Sequence, residues 1–240
     1  LMQPYGVIAT HRPRHRGGGV AFVVAPGFLH RCRKRAFVTD EALANQLWLN
    51  VDLGAHGNLV VGTVHGPTNS QGGHYASFLD QLQHNWDRGV ADAQQGRCIL
   101  MGDFNARLPG HDPSGANALG LLLHASLPAW AGAARVVSPP GVPTYLGFAG
   151  RPTVARPDGG GGGRSHRRRT VPDLVLASGT ALPTAAAVGP DLTVGSDHRP
   201  LLARWEDCWA RDRGVSHPGS RSAASATLTP PLEFRWTREP

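Results

Sequence analysis

The chain has 240 residues, 40% of them apolar, a mean hydropathy of −0.24, a formal charge of +7 and a pI near 10.3. That length allows one large domain with a substantial core, while no apolar run approaches the roughly 20 residues that span a bilayer and the N-terminus lacks a signal-peptide pattern. Three widely spaced cysteines, Cys32, Cys98 and Cys208, form neither a disulfide framework nor a zinc pattern, so nothing marks a secreted, disulfide-built or membrane protein and a reducing compartment is the default.

Residues 1–18 read as an irregular basic lead-in ending in Gly17-Gly18-Gly19. Val20 to Ala25 is a short apolar strand, stopped by Pro26-Gly27, and a basic loop follows. Leu47, Leu49, Val51 and Leu53 alternate with polar or aromatic partners, as in a half-buried strand, and after a turn at 54–58 the run Leu59 to Val64 makes the second arm of a hairpin. Between His74 and Gln94 the apolar positions Tyr75, Phe78, Leu79, Leu82, Trp86 and Val90 recur at helical spacing, which predicts a helix packed on a sheet. Cys98 to Met101 is a buried strand that Gly102 breaks. Asn117 to Leu127 is a second helix with Leu119, Leu122, Leu123 and Leu127 inward. Val136-Val137 is a short strand before the turn Pro139-Pro140-Gly141. The Gly- and Arg-rich run from Arg156 to Thr170 cannot bury a core. Val171 to Ala177 and Leu201 to Trp205 are strands joined by a small-residue connector. From about Trp209 the chain becomes a polar tail rich in Ser, Arg and Pro. Strands that come in hairpins and also alternate with helices predict an α+β fold: mixed, largely antiparallel sheets covered by helices.

The chemistry concentrates at strand ends. Asp103 and Asn105 stand two positions apart just past the Cys98–Met101 strand. Extended geometry would project both to one side. A carboxylate there can take a proton from water or hold a cation, and an amide can orient a nucleophile or an anionic oxygen. The same stretch also fits an Asx-rich turn in which both side chains cap backbone amides. His65 ends another strand, in His65-Gly66-Pro67-Thr68-Asn69. Asp173 lies inside an apolar run and is costly there unless paired or hydrogen-bonded; a histidine is a reasonable partner. Asp197-His198 places an acid and an imidazole back to back before the last strand. Three basic runs, Arg12–Arg16, Arg31–Arg35 and Arg164–Arg169, fit either attraction of nucleic acid or a solvated surface.

Together, and in this order, these residues resemble the endonuclease/exonuclease/phosphatase superfamily of metal-dependent phosphodiesterases. Met101-Gly102-Asp103-Phe104-Asn105-Ala106 matches its Gly-Asp-Phe-Asn signature, and Ser196-Asp197-His198-Arg199-Pro200-Leu201 its Ser-Asp-His-x-Pro-Leu signature. Pro172-Asp173-Leu174-Val175-Leu176 resembles its aspartate-bearing strand, and His65-Gly66-Pro67 its His- or Tyr-x-Pro segment. The resemblance covers roughly residues 17–206, and Arg16-Gly17-Gly18-Gly19-Val20-Ala21 is most similar to endonuclease domains of non-LTR retrotransposons.

The resemblance implies two packed β-sheets flanked by helices, a four-layer sandwich over residues 1–206 that lacks its first strand or strands, with 207–240 as linker or tail. It implies Asp103 as the group that activates water or holds the metal, and Asn105 as the orienter of nucleophile and phosphate. Asp173 would pair with His198, keeping that imidazole protonated and aimed at a phosphoryl oxygen. His65 would donate to phosphate or leaving group. Asp197 joins Asp103 as a ligand of Mg²⁺, or of Mn²⁺ in its place. Thr144 and Asn69 would contact phosphate. DNA is the implied partner, with a reverse transcriptase further along the same polyprotein and a nuclear location by analogy. The family's metal-ligating Glu belongs upstream of the Gly-Gly-Gly-Val stretch. Here no acid precedes Gly17 and the first Glu is Glu41, so weak or absent activity is expected of the chain as given. A phosphatase acting on a small or lipid phosphate, and a catalytically dead nucleic-acid-binding remnant, are the competing readings.

Overall fold

The computed structural model describes residues 5–11, 19–36, 45–68, 72–146, 169–189 and 198–205. Within them the strands are β1 (Gly6–His11), β2 (Gly19–Val24), β3 (Cys32–Lys34), β4 (Asn45–Asp52), β5 (Asn58–His65), β6 (Cys98–Asp103), β7 (Arg135–Val136), β8 (Asp173–Ala177), β9 (Ala185–Val188) and β10 (Leu201–Arg204). Two α-helices accompany them, α1 (Gly72–Asp92) and α2 (Ala118–Ser126).

The central sheet runs β3-β4-β5-β6-β8-β7. Among the described residues only the β5–β6 pair is parallel, and α1 is the crossover between them. Val60, Val61 and Val64 of β5 have no exposed surface, because helices cover one face of the sheet and β-ribbons the other. On the helical side Trp48, Val60, Leu100 and Leu174 pack with Phe78, Leu82 and Trp86 of α1 and with Leu119 and Leu123 of α2. On the opposite side Leu47, Leu49, Val61, Ile99 and Val175 meet Val20, Phe22 and Val24 of β2, with Leu201 and Ala203 of β10 packed against them. Two antiparallel ribbons, β1–β2 and β9–β10, thus form the second β-layer. The α+β class expected from the sequence is the class observed, with the flanking helices among the described residues on one face.

Several elements depart from the sequence reading. Residues 6–11 are not lead-in: Val7, Ile8 and Thr10 give them β character, and each residue pairs across to β2, from Gly6↔Val24 to His11↔Gly19. The basic loop after Pro26 contains a 3-10 turn (Pro26–Arg31) and the edge strand β3, whose exposed Arg33 and Lys34 discourage further pairing. The β4 strand is buried on both faces, since Gln46 and Trp48 lie under α1 while Leu47 and Leu49 face the ribbon. Leu122 is 45% exposed, because nine-residue α2 has only a narrow stripe toward the core. The small-residue connector contains β9, an alanine strand that gains its definition from pairing with β10. Gly102 does not break its strand but lies within β6. The tail 207–240 and most of the Gly/Arg run, 156–168, lie outside the described residues.

Candidate active site

Strand register brings the site together. His65 is the parallel partner of Asp103, and Asp103 is the antiparallel partner of Asp173, so the three stand in one row across β5, β6 and β8. Register partners share a face. Counting by twos from Val61 to His65, from Ile99 to Asp103 and from Val175 to Asp173 places that face on the ribbon side of the sheet. His198, just before β10, completes the group from the second layer.

The buried acid at 173 has the imidazole partner expected for it. His198 Nδ1 lies 2.8 Å from Asp173 Oδ2, with both side chains at 9% exposure. A carboxylate can only accept this bond, so Nδ1 carries the hydrogen and Nε2 is the nitrogen turned toward Asp103, 4.0 Å from its Oδ2. His65 Nε2 approaches the same oxygen to 3.9 Å. Both separations exceed hydrogen-bond length. One carboxylate oxygen is therefore flanked by two imidazole nitrogens, neither of them hydrogen-bonded to it.

Asn105 lies at the same strand end but not by the i, i+2 logic. Its φ is +52°, so the chain has already left the extended path. Its backbone N–H donates to Asp103 Oδ1 at 2.8 Å, and its side-chain Nδ2 donates to the Gly66 carbonyl at 2.8 Å. The Asx-turn alternative therefore holds for Asp103, whose carboxylate caps a backbone amide, whereas the Asn105 side chain donates to a carbonyl instead. The same turn fixes the Asp103 carboxylate and ties Asn105 to the segment after His65, where Gly66 N–H also donates to the Asp103 carbonyl. Thr144 is fully buried, and its Oγ accepts from the Asp173 N–H at 3.3 Å. That hydroxyl faces into the fold. Asn69 and Asp197 lie outside the described residues.

Two aromatic groups join the site without having been singled out. The Tyr145 ring sits 5.0 Å from the His198 imidazole, and its backbone bridges both Thr170 and His198. Tyr75 reads from sequence as a core position of α1. Its hydroxyl donates to the Phe104 carbonyl at 3.2 Å, and burial, reinforced by the Asp103 charge, pushes the phenol far above its ordinary value. A tyrosine hydroxyl usually finds a hydrogen-bond partner when buried, and that tendency was the available signal for Tyr75.

Asp103, Asp173 and His198 each offer a ligand atom, all within 4.8 Å of one another. Two carboxylates and an imidazole fit a divalent cation. Asp173 already accepts from His198, so Asp103 is the better-placed carboxylate.

The model of the Endonuclease/Exonuclease/phosphatase family matches residues 3–198. Among solved structures, the endonuclease domain of TRAS1, a telomere-specific non-LTR retrotransposon, superposes with a TM-score of 0.57 at 16% identity, over 82% of this chain and 78% of that one. A humanized D. rerio TDP2 gives 0.52 at 16% identity, over 83% and 75%. The mannosyl-6-phosphatase Bt3783 of Bacteroides thetaiotaomicron gives 0.51 at 13%, over 82% and 75%. No curated protein matches the chain significantly. At these identities the structures speak for the fold. The family match spans the Gly-Asp-Phe-Asn stretch, the His65–Asp103–Asp173 row and the second signature as far as His198, and the chain belongs to the Endonuclease/Exonuclease/phosphatase family.

Proposed function

We propose that this chain hydrolyses DNA phosphodiester bonds with Mg²⁺, as a nicking endonuclease of the retrotransposon type. The observation that carries the reading is the Asp103 carboxylate held between two imidazole nitrogens at 3.9 and 4.0 Å. The likeness to the TRAS1 endonuclease domain and the +7 charge support DNA as substrate.

In this reading Asp103 takes a proton from the attacking water, its carboxylate aimed by the Asn105 N–H. Asn105, braced on Gly66, orients that water or a phosphoryl oxygen. Asp173 holds His198 so that Nε2 faces the phosphoryl group, and Tyr145 packs on the ring. His65 delivers a proton to the leaving oxygen as the phosphorus–oxygen bond breaks. Thr144 acts by positioning the Asp173 backbone. A divalent ion, held by Asp103 together with Asp197, would supply compensation of the charge that develops on the phosphoryl oxygens.

The test is nicking of supercoiled plasmid by the purified chain, with Mg²⁺ and with chelator, beside His198→Ala. Nicking, weak as the sequence predicts, should require the metal and fall about 10²–10⁴-fold in the variant. The fold likeness to Bt3783 favours a second reading, hydrolysis of a small phosphate ester. A folded chain that turns over a phosphate monoester and leaves plasmid intact would replace the first reading with the second. Metal-independent DNA binding without hydrolysis of either substrate would overturn both.

A further inference from the structure

The end of the sheet remote from the acid–imidazole row carries a second polar site. Arg33 of β3 and Asn50 of β4 are register partners, so their side chains leave on one face. That is the helical face, because Trp48, two positions from Asn50, belongs to the core under α1. The last turns of α1 supply the facing wall through Arg88 and Asp92, and Asn58 at the start of β5 completes the floor. The resulting groove measures about 440 Å³, within the roughly 300–1,000 Å³ typical of ligand sites, and holds more than a single ion.

Its polar groups are arranged for an oxyanion. Asn58 Nδ2 donates to Asn50 Oδ1 at 3.2 Å and to the Asp92 carbonyl at 3.1 Å, while its Oδ1 accepts from the Gln94 N–H at 2.6 Å. These bonds fix both floor amides and leave the Asn50 NH₂ with no acceptor among the described residues. The groove's carboxylate, Asp92, is paired with Arg35. Arg33 makes no hydrogen bond or ion pair among the described residues, and its guanidinium is a planar fork suited to two phosphate oxygens. Lys34 and Arg88 add charge at the rim.

We propose that this groove is a second nucleic-acid contact, which holds the sugar–phosphate backbone of DNA apart from the bond being cut. The proposal rests on DNA being the partner and extends that reading to a site outside the acid–imidazole row. The separation follows from β5, which runs from Asn58 in the groove to His65 in the row. Those seven steps cover about 23 Å at about 3.3 Å per residue. The Arg31–Arg35 run, ambiguous as sequence, thereby acquires a place: Arg33, Lys34 and Arg35 line the groove.

The experiment is fluorescence anisotropy of a labelled 30-base-pair duplex with the full chain in chelator, across a salt series. Arg33→Ala/Arg88→Ala is compared with Arg135→Ala/Arg204→Ala, which removes the same charge from exposed positions elsewhere. Two lost phosphate contacts should flatten the slope of log K against log salt by about two, and weaken binding at least about tenfold at low salt, in the groove variant alone. A folded groove variant that binds like the charge-matched control overturns the proposal. Inorganic phosphate is titrated in parallel by ³¹P NMR, and phosphate binding with no groove effect on DNA would overturn the assignment to backbone. Since cleavage is absent here, nicking without a groove effect removes the groove alone. A groove effect without nicking removes hydrolysis and leaves the groove standing.

Discussion

Gly102 sits one residue before the central acid, at φ +144°, a region that L side chains rarely adopt. A Cβ there would stand 2.0 Å from the Val64 carbonyl oxygen, a backbone atom in the neighbouring strand. Read along the sequence, this glycine ends a strand; in the sheet it lets β6 continue and carry Asp103 into line with His65. Gly102→Ala should cost more than about 2 kcal/mol, combining backbone strain with a clash that only main-chain movement relieves. Urea unfolding checks it, and a midpoint equal to wild type would show the contact to be soft. Asn105 teaches a related lesson at one position. Its residue type was informative, but the spacing argument that put it beside Asp103 fails at φ +52°, and the two are joined by an Asx turn instead.

Among the elements, the loop between β6 and α2 shows how polar groups brace the site from behind. Asp112 is buried, its Oδ2 accepting from the Val171 N–H at 2.6 Å and its Oδ1 from Ser114. His111 contacts Ser138 Oγ at 3.3 Å, and that oxygen accepts from Val175 N–H in β8. Burial lowers the His111 pKa below its usual 6.5, against an opposing pull from Asp112. A histidine depressed in the folded state contributes stability that is present above its unfolded value and lost as pH falls through the folded one. Stability should therefore decline from about pH 7 downward, and His111→Gln should flatten that decline. Urea midpoints at pH 7.5 and 5.5 decide it; parallel pH dependences in the two proteins would remove His111 as the cause. Helix α1 is the most legible element, since its apolar positions repeat with the helical period and all but Val90 are buried.

For the molecule as a whole, the two faces of the sheet are unequal. The helical side is built from large, fully buried groups, including Trp48, Trp86, Tyr75 and Phe78. The other side is closed by two-stranded ribbons, and isolated ribbons are marginal by themselves. Tyr5 and Val7 are 67% and 66% exposed, and β10 has no fully buried residue. Amide protons of β1–β2 and β9–β10 should accordingly exchange well before those of β5, β6 and β8. Native-state hydrogen exchange measures this, and equal protection across both layers would mean that the ribbons open only with the core. Because His198 enters from the β10 ribbon and Asp103 and Asp173 from the sheet, the site spans the two layers.

The sequence alone was enough for the elements whose signal is local: the period of α1, the apolar runs of β5 and β6, and the Gly-Asp-Phe-Asn and Ser-Asp-His stretches that carried the family resemblance. Burial is periodic along the chain wherever one element faces one core, so such elements can be read without a partner. Pairing decided the rest. β1 and β9 are short and weakly patterned, and hydrogen bonds to β2 and β10 define them. β4 is buried on both faces only because α1 and the β2 ribbon lie on opposite sides of it. The alignment of His65, Asp103 and Asp173 depends on the register of three strands far apart in the chain. A shift of one residue in any of them would turn its side chain to the other face. Register is set by nonlocal hydrogen bonds and packing, which no window of sequence contains.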